Sequence, residues 1–139
     1  MMIKRAIFDS GIFIGSKYSR DQYNSEAVKI LEGLKDENIG KAYITNYVLA
    51  ECINFLLTKA GFKMADEALN YLTGTDNIEI VETEDLEKIK EIFKKYKNLS
   101  ITDCSLVALS EKLKIREVFS FDKHFDTIKE LKRLTTIQK

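Results

Sequence analysis

Four acidic residues lie either at the end of a strand-like segment or in the helix-like segment that follows one. In α/β domains, ligands bind at this end of the strands. The four residues are Asp9, Glu51, Asp103 and Asp122. If the four side chains converge, they cannot all remain ionised without a cation, because like charges in one pocket repel each other. Carboxylate oxygens favour a hard ion, so the set predicts a Mg²⁺ or Mn²⁺ site rather than a zinc site. Such an ion can activate water and neutralise a phosphate, as phosphodiester hydrolysis requires.

Each of the four acids also has a structural explanation when it is considered alone. An aspartate after a strand often makes a turn or caps the next helix, which would account for Asp9 and Asp122. Asp103 follows Thr102 at the start of a helical pattern, where it would complement the helix dipole. Glu51 shares a helical face with apolar neighbours, so it must reach the edge of the core or be compensated by a cation. A partly buried salt bridge is the structural alternative for this residue.

Short apolar segments alternate with helical periodicity, which predicts a parallel sheet covered by helices. Strands are predicted at Ala6–Phe8, Ala42–Ile44, Ile78–Val81 and Val118–Phe121, with Leu134–Ile137 as a candidate fifth strand. Helical spacing is predicted over Ala27–Leu34, Val48–Leu57, Phe62–Leu72 and Thr102–Leu113. The expected fold is one three-layer α/β/α domain over residues 1–139, with a central parallel sheet of four or five strands.

The segment after Val81 carries the signals of a further helix. Thr83 is the predicted N-cap, acidic residues follow it, and lysines stand at the far end, in the order that complements a helix dipole. The expected buried stripe consists of Leu86, Ile89, Phe93 and Tyr96.

Composition excludes several classes of protein. The chain has 139 residues, of which 45% are hydrophobic and 32% charged, so it can build a core and is not a disordered chain. No apolar run approaches the about 20 residues of a membrane span, and no secretory signal is expected at the N-terminus. Cys52 and Cys104 form no CxxC pair, which favours a reducing cytoplasm and argues against a disulfide framework or a zinc cage.

The formal net charge is zero, which by itself counts mildly against a nucleic-acid partner. Setting the four acids aside as ligands of an ion leaves a net charge of +4 on the rest of the molecule. Lysines fall in short clusters along the chain, and a solvated lysine-rich surface explains any single cluster equally well.

Other catalytic arrangements find little support in the sequence. The single histidine, His124, has no evident nucleophile partner, and we expect a surface role for it. The segment from Phe8 to Gly15 lacks the glycine and lysine spacing of a phosphate-binding loop. A haloacid-dehalogenase-type phosphatase would need a second acid two residues after Asp9, and that position is Gly11.

Four segments resemble, in order and spacing, the four acidic motifs of PIN domains. They are FDSGIFIG, ITNYVLAE, SITDCSLVALSEKL and VFSFDKHF, and the resemblance covers essentially the whole chain. The short chain is most similar to the VapC-type toxins of toxin–antitoxin pairs. The resemblance implies metal-dependent cleavage of single-stranded RNA, giving a 3′-hydroxyl and a 5′-phosphate, with Mg²⁺ or Mn²⁺ as the cofactor.

The resemblance also assigns roles to individual residues. Asp9, Glu51, Asp103 and Asp122 match the catalytic, metal-binding acids of the family. Ser10 and Ser120 match hydroxyl residues that commonly support the site. Asp126 is either an extra acid, as in some members, or a cap of the next helix.

Partners follow from the same resemblance. PIN toxins form homodimers and bind an antitoxin, so we expect an RNA substrate, single-stranded or structured, an antitoxin protein and a second copy of the chain. Apolar residues on the helical faces exceed what a small sheet needs; these are Leu56, Leu57, Phe62 and Leu69. Ordinary core packing explains most of them equally well. An RNA-processing PIN nuclease outside a toxin pair and a non-catalytic RNA-binding module remain as alternatives.

Overall fold

A five-stranded parallel sheet forms the centre of the computed structural model, which describes residues 2–137. The strands are β1 (Ile3–Phe8), β2 (Ile39–Thr45), β3 (Ile78–Val81), β4 (Glu117–Phe119) and β5 (Lys132–Leu134). Their spatial order is β3-β2-β1-β4-β5, and every neighbouring pair is parallel. The order reverses between β1 and β4, and such a switch point is where open α/β sheets bind ligands.

Helices pack against the sheet to give the predicted three-layer α/β/α architecture. They are α1 (Ser10–Lys17), α2 (Asn24–Lys35), α3 (Asn46–Ala60), α4 (Phe62–Gly74), α5 (Leu86–Tyr96) and α6 (Ile101–Leu113), followed by a 3₁₀ helix over Lys123–Thr127. The expected parallel α/β fold is therefore confirmed, and the sheet has the fifth strand. The ends of the predicted domain, residues 1 and 138–139, lie outside the described residues. Within the described range, no helix has the length and apolarity to cross a membrane.

The core is densest where β1 and β4 meet. Phe8 and Phe119 are adjacent across the two strands and fully buried, with their ring centroids 5.1 Å apart. Burial of aromatic side chains of this size removes a large apolar area from water. On the other side of β1, Gly40 of β2 has no room for a side chain, since a Cβ there would lie 2.6 Å from the backbone oxygen of Lys4. β1 is thus packed closely against both of its neighbouring strands.

The last two strands differ in extent from the sequence prediction. β4 covers Glu117–Phe119 rather than Val118–Phe121, because beyond Phe119 the chain turns towards the 3₁₀ helix. β5 covers Lys132–Leu134 rather than the predicted Leu134–Ile137. The three residues from Lys132 to Leu134 pair in register with the three residues of β4.

The predicted N-cap of α5 was wrong, and its predicted buried stripe was wrong at two of four positions. Asp85, not Thr83, is the N-cap, since its carboxylate accepts a hydrogen bond from the backbone N–H of Lys88. Ile92 is buried instead of Phe93, which is 44% exposed. Ile89 is buried as predicted, whereas Leu86, at the first position of the helix, is 62% exposed.

Candidate metal and active site

Asp9 lies directly at the end of β1, where the chain enters α1. It is the N-cap of α1, and only 6% of the residue is exposed. Its Oδ1 accepts a hydrogen bond of 2.8 Å from the backbone N–H of Ser10, and its Oδ2 accepts one of 2.7 Å from the Ser120 hydroxyl. Both carboxylate oxygens are therefore oriented by the protein before any ligand arrives.

Burial raises the pKa of Asp9 to about 7. The hydrogen bonds from Ser120 and Ser10 act in the opposite direction, whereas the negative charges of Asp103 and Glu51 raise the pKa further. A carboxylate with this environment is electrostatically unsatisfied at neutral pH, and a cation nearby would remove the penalty.

Asp103 is the third residue of α6 and belongs to a capping box. The backbone N–H of Ser100 donates to its Oδ2, and its own N–H donates to the Ser100 hydroxyl, both at 3.0 Å. Helix capping thus occupies one carboxylate oxygen of Asp103, Oδ2. Burial, followed by the charges of Asp122 and Glu51, raises the pKa of this group despite the two hydrogen bonds with Ser100. The capping role explains the position of Asp103 but not the neighbouring acids.

Glu51 of α3 is exposed at the edge of the core, and over residues 2–137 it makes no salt bridge. The Ser10 hydroxyl donates a short hydrogen bond to its Oε1. At the start of the same helix, the Thr45 and Ser105 hydroxyls are 2.8 Å apart, which ties α3 to α6. This contact sets the position of Glu51 relative to Asp103.

Asp122 caps the 3₁₀ helix that follows β4. Its Oδ1 accepts from the backbone N–H of His124 at 2.9 Å, and the Nδ1 of that histidine lies 3.2 Å from the same oxygen. The backbone N–H of Asp122 donates to the Ser120 hydroxyl at 3.0 Å. Because that hydroxyl also donates to Asp9, Ser120 holds two of the acids at a fixed spacing.

The four predicted acids lie together at the carboxyl edge of the sheet. Their charges act on one another, since Asp103 and Glu51 affect the pKa of Asp9, and Asp122 and Glu51 affect that of Asp103. Ser10 and Ser120 contact the cluster as the resemblance implied.

Asp126 lies outside the acid cluster. Its two carboxylate oxygens accept hydrogen bonds of 2.9 and 3.1 Å from the Arg133 guanidinium. Those hydrogen bonds from Arg133 lower the pKa of Asp126. A third guanidinium N–H of Arg133 donates to the backbone oxygen of Ser120 at 3.2 Å. Asp126 is therefore neither a free ligand of the cluster nor the N-cap of the 3₁₀ helix, a position that Asp122 holds.

Sequence reasoning missed His124 and Arg133. One ligand atom each from Asp103, Asp122 and His124 lies within 4.8 Å of the others, a spacing that suits a metal ion. The two-residue separation of Asp122 and His124 was a readable signal, because both stand in the turn after a predicted strand. Nothing in the sequence pointed to Arg133 of β5, which contacts Asp126 and the backbone of Ser120 beside the site.

The donor set fits a divalent ion. It consists of carboxylate oxygens around a site where burial and mutual repulsion disfavour ionisation, with one imidazole at its rim. Oxygen donors suit Mg²⁺ and Mn²⁺, whereas the imidazole extends the set towards transition metals such as Mn²⁺. The arrangement is suited to hydrolysis of a phosphate ester through an ion-activated water.

The chain is similar to known proteins in sequence and in fold. The chain is 29% identical over 125 residues to a VapC ribonuclease of Archaeoglobus fulgidus, an alignment that covers 86% of this chain and 78% of the relative. The fold is similar to that of Mycobacterium tuberculosis VapC20, described as a toxin that cleaves the sarcin–ricin loop, with a TM-score of 0.72 and 16% identity over 88% of this chain and 93% of that one.

A toxin–antitoxin complex from Klebsiella pneumoniae also contains a similar chain, with a TM-score of 0.65 and 18% identity over 91% of this chain and 95% of that chain. The model of the PIN domain family matches residues 6–131, from the buried part of β1 to the segment before β5. The chain therefore belongs to the PIN domain family.

Proposed function

We propose that this chain is a metal-dependent endoribonuclease that hydrolyses phosphodiester bonds of single-stranded RNA and acts as the toxin of a type II toxin–antitoxin pair. The observation that carries the proposal is the convergence of four carboxylates at the switch point of the sheet, two of them buried with raised pKa values. Burying like charges is costly, and a protein that retains them has a use for them. The A. fulgidus relative, named as a VapC ribonuclease, supports the reaction class.

The proposed metal ligands are Asp9, Glu51, Asp103 and Asp122, with His124 at the rim. When bound, a Mg²⁺ or Mn²⁺ ion supplies a nucleophilic water and charge neutralisation at the scissile phosphate. The hydroxyls around the cluster orient the carboxylates, since Ser120 fixes Asp9 relative to Asp122 and Ser10 joins Asp9 to Glu51. Preorganised ligands of this kind need little rearrangement when charge develops in the transition state.

We further propose an antitoxin and a second copy of the chain as protein partners, and a cytoplasmic location. Leu57, Phe62 and Leu69 on α3 and α4 are 49%, 73% and 37% exposed, which leaves apolar surface for a partner. Leu56, expected on the same surface, is instead fully buried against Ala65 and Ala68. The K. pneumoniae structure, a toxin–antitoxin complex, supports the antitoxin, and two free buried cysteines suit a reducing compartment. Sedimentation of the purified chain as a monomer at micromolar concentration would contradict the dimer.

The test of the catalytic proposal is cleavage of single-stranded RNA with Mg²⁺ or Mn²⁺, compared between Asp103→Asn and a matched control. Asp66 is an exposed aspartate of α4, and Asp66→Asn removes the same charge away from the cluster. We expect Asp103→Asn to lower turnover by about 10²–10³-fold, because transition-state charge loses a stabiliser, and Asp66→Asn to retain activity. Cleavage that persists in excess chelator, or full activity of Asp103→Asn, would contradict a metal-dependent nuclease.

A further inference from the structure

A groove of about 520 Å³ lies at the amino ends of β1 and β4 and along β5, at the opposite edge of the sheet from the acid cluster. Cationic side chains from Lys4, Arg5, Lys114 and Lys132 line it, and we call these four residues and the cleft between them the basic groove. Glu117 is the single acid among the described residues that line it. The groove therefore concentrates positive charge on a chain whose formal net charge is zero.

The four cations of the basic groove are available to a ligand. All four residues are exposed, and over residues 2–137 no carboxylate oxygen lies within 4.0 Å of their charged nitrogens. Arg5 donates one hydrogen bond of 3.2 Å to the backbone oxygen of Leu113, which orients its guanidinium without neutralising it. Arg133 differs, since its guanidinium pairs with Asp126.

The distance between the groove and the acid cluster sets the minimum size of a ligand that contacts both. Lys4 and Asp9 are five residues apart in and just after β1, which corresponds to about 16 Å at ~3.3 Å per residue. A mononucleotide in the acid cluster cannot reach that far, whereas a folded RNA presents phosphates at many separations around one domain. Double-helical RNA is bound largely through its shape and its phosphates, for which isolated, unpaired cations are suited.

The energetics also favour a polyanion at this edge. Phosphates approaching the carboxylate cluster are repelled until an ion is bound, so a cationic surface elsewhere on the chain would add to RNA affinity. Each phosphate neutralised by a lysine or arginine releases condensed counterions and strengthens binding.

We infer that the basic groove binds the phosphodiester backbone of a structured RNA, whose single-stranded part is cleaved at the opposite edge of the sheet. The inference rests on the proposed ribonuclease function, because it deepens the recognition of that substrate. The groove holds RNA through its phosphates and not through its bases, so it increases affinity without reading sequence.

The experiment compares two double variants that remove the same charge. Lys4→Gln/Lys132→Gln neutralises the groove, and Lys59→Gln/Lys63→Gln neutralises two exposed lysines of α3 and α4 that have no acidic partner within 4.0 Å among residues 2–137. Binding of a labelled RNA hairpin with a single-stranded loop is measured by fluorescence anisotropy across a series of salt concentrations, with chelator present to prevent cleavage. Thermal melts show whether both variants are folded.

We expect the groove variant to bind the hairpin about tenfold more weakly than the control at physiological salt. Its salt-dependence slope should be smaller by about 1.8, because each lost phosphate contact to a double helix removes about 0.9. Equal affinities and slopes of the two folded variants would overturn the inference while leaving the nuclease assay unaffected. A wild type that binds the hairpin through the groove but cleaves no RNA with Mg²⁺ or Mn²⁺ would support the groove and contradict the proposed catalysis.

Discussion

At the carboxyl ends of β1 and β4 the chain buries acids, whereas at the amino ends of the same strands it exposes lysines and an arginine. Asp9 and Asp103 are 6% and 7% exposed, and burial raises the pKa of both. Lys4 and Lys132 are exposed and make no ion pair over residues 2–137. Buried like charges destabilise the fold, while solvated charges change its stability little. The acid edge therefore costs folding free energy, whereas the basic edge does not.

The largest expected effect on stability tests the cost of the acid edge. Asp9 has its pKa raised from 3.8 to about 7, so the folded protein binds more protons than the unfolded chain across that interval. Stability contributed by the protonated form is therefore lost as the pH rises from about 4 to about 7. Asp9→Asn should remove this loss and raise the free energy of unfolding at pH 8 by about 1–3 kcal/mol, below the limit of about 4 kcal/mol set by the pKa difference.

Urea denaturation in chelator at pH 5 and pH 8 measures that effect. The wild type and Asp9→Asn should be much closer in stability at pH 5 than at pH 8. Asp66→Asn, on the exposed face of α4, should show no such divergence. A destabilised Asp9→Asn at pH 8 would mean that its hydrogen bonds with Ser10 and Ser120 outweigh its burial, and the contrast between the two edges would disappear.

Removal of the Ser120 hydroxyl, which joins Asp9 to Asp122, should have the next largest effect. Ser120→Ala removes the donor to Asp9 and the acceptor for the backbone N–H of Asp122. Loss of a group that orients metal ligands typically lowers activity by about 10–100-fold, and the lost buried hydrogen bonds cost about 1–3 kcal/mol. Ser110→Ala is the control, since this buried hydroxyl donates to the backbone oxygen of Ile115 away from the acids.

Cleavage rates and urea melts of the two serine variants separate positioning from stability. Both should be destabilised to a similar extent, but only Ser120→Ala should lose RNA cleavage. Equal cleavage by the two variants would show that Ser120 is a structural hydroxyl like Ser110, and that the acid edge does not depend on its orientation.

The imidazole at the rim distinguishes between the two metals proposed for the acid edge. His124 lies within 4.8 Å of both Asp103 and Asp122 through its ligand atom, and nitrogen donors favour Mn²⁺ over Mg²⁺. His124→Ala should weaken Mn²⁺ binding by several-fold and Mg²⁺ binding less, as measured by calorimetry. Asp126→Asn serves as the control, because Asp126 pairs with Arg133 outside the cluster. Equal losses for both ions would assign His124 to supporting Asp122 rather than to ligation.

Much of the sheet could be predicted from the sequence, because buried parallel strands appear as short apolar runs. The order of the strands, and so the position of the switch point, came from the structure. The ends of β4 and β5 could not be predicted either, since they depend on which residues pair in register. The start of α5 was missed because Thr83 and Asp85 are both good N-caps and only the hydrogen bond to Lys88 selects the second.

The acid cluster was predicted as a set because each acid stands at a strand end or in a following helix. Its details depend on contacts between residues distant in the chain. The link from Ser120 to Asp9 spans 111 positions, and the link from Ser10 to Glu51 spans 41. The ion pair between Asp126 and Arg133 could not be predicted from the sequence either. It places Asp126, a candidate site residue in the sequence analysis, outside the cluster.

The smallest expected effect concerns the basic edge. Lys4→Gln/Lys132→Gln removes two charges from exposed side chains that have no ion-pair partner over residues 2–137, so the free energy of unfolding should change by no more than about 0.5 kcal/mol. Urea denaturation alongside Asp9→Asn measures both edges under one set of conditions. A gain of 1 kcal/mol or more in the lysine variant would mean that crowded cations destabilise the basic edge much as buried carboxylates destabilise the acid edge. Unchanged stability together with weakened RNA binding would show that the two edges have different roles. The acid edge would hold buried, destabilising carboxylates for an ion, and the basic edge would hold solvated cations for a polyanion.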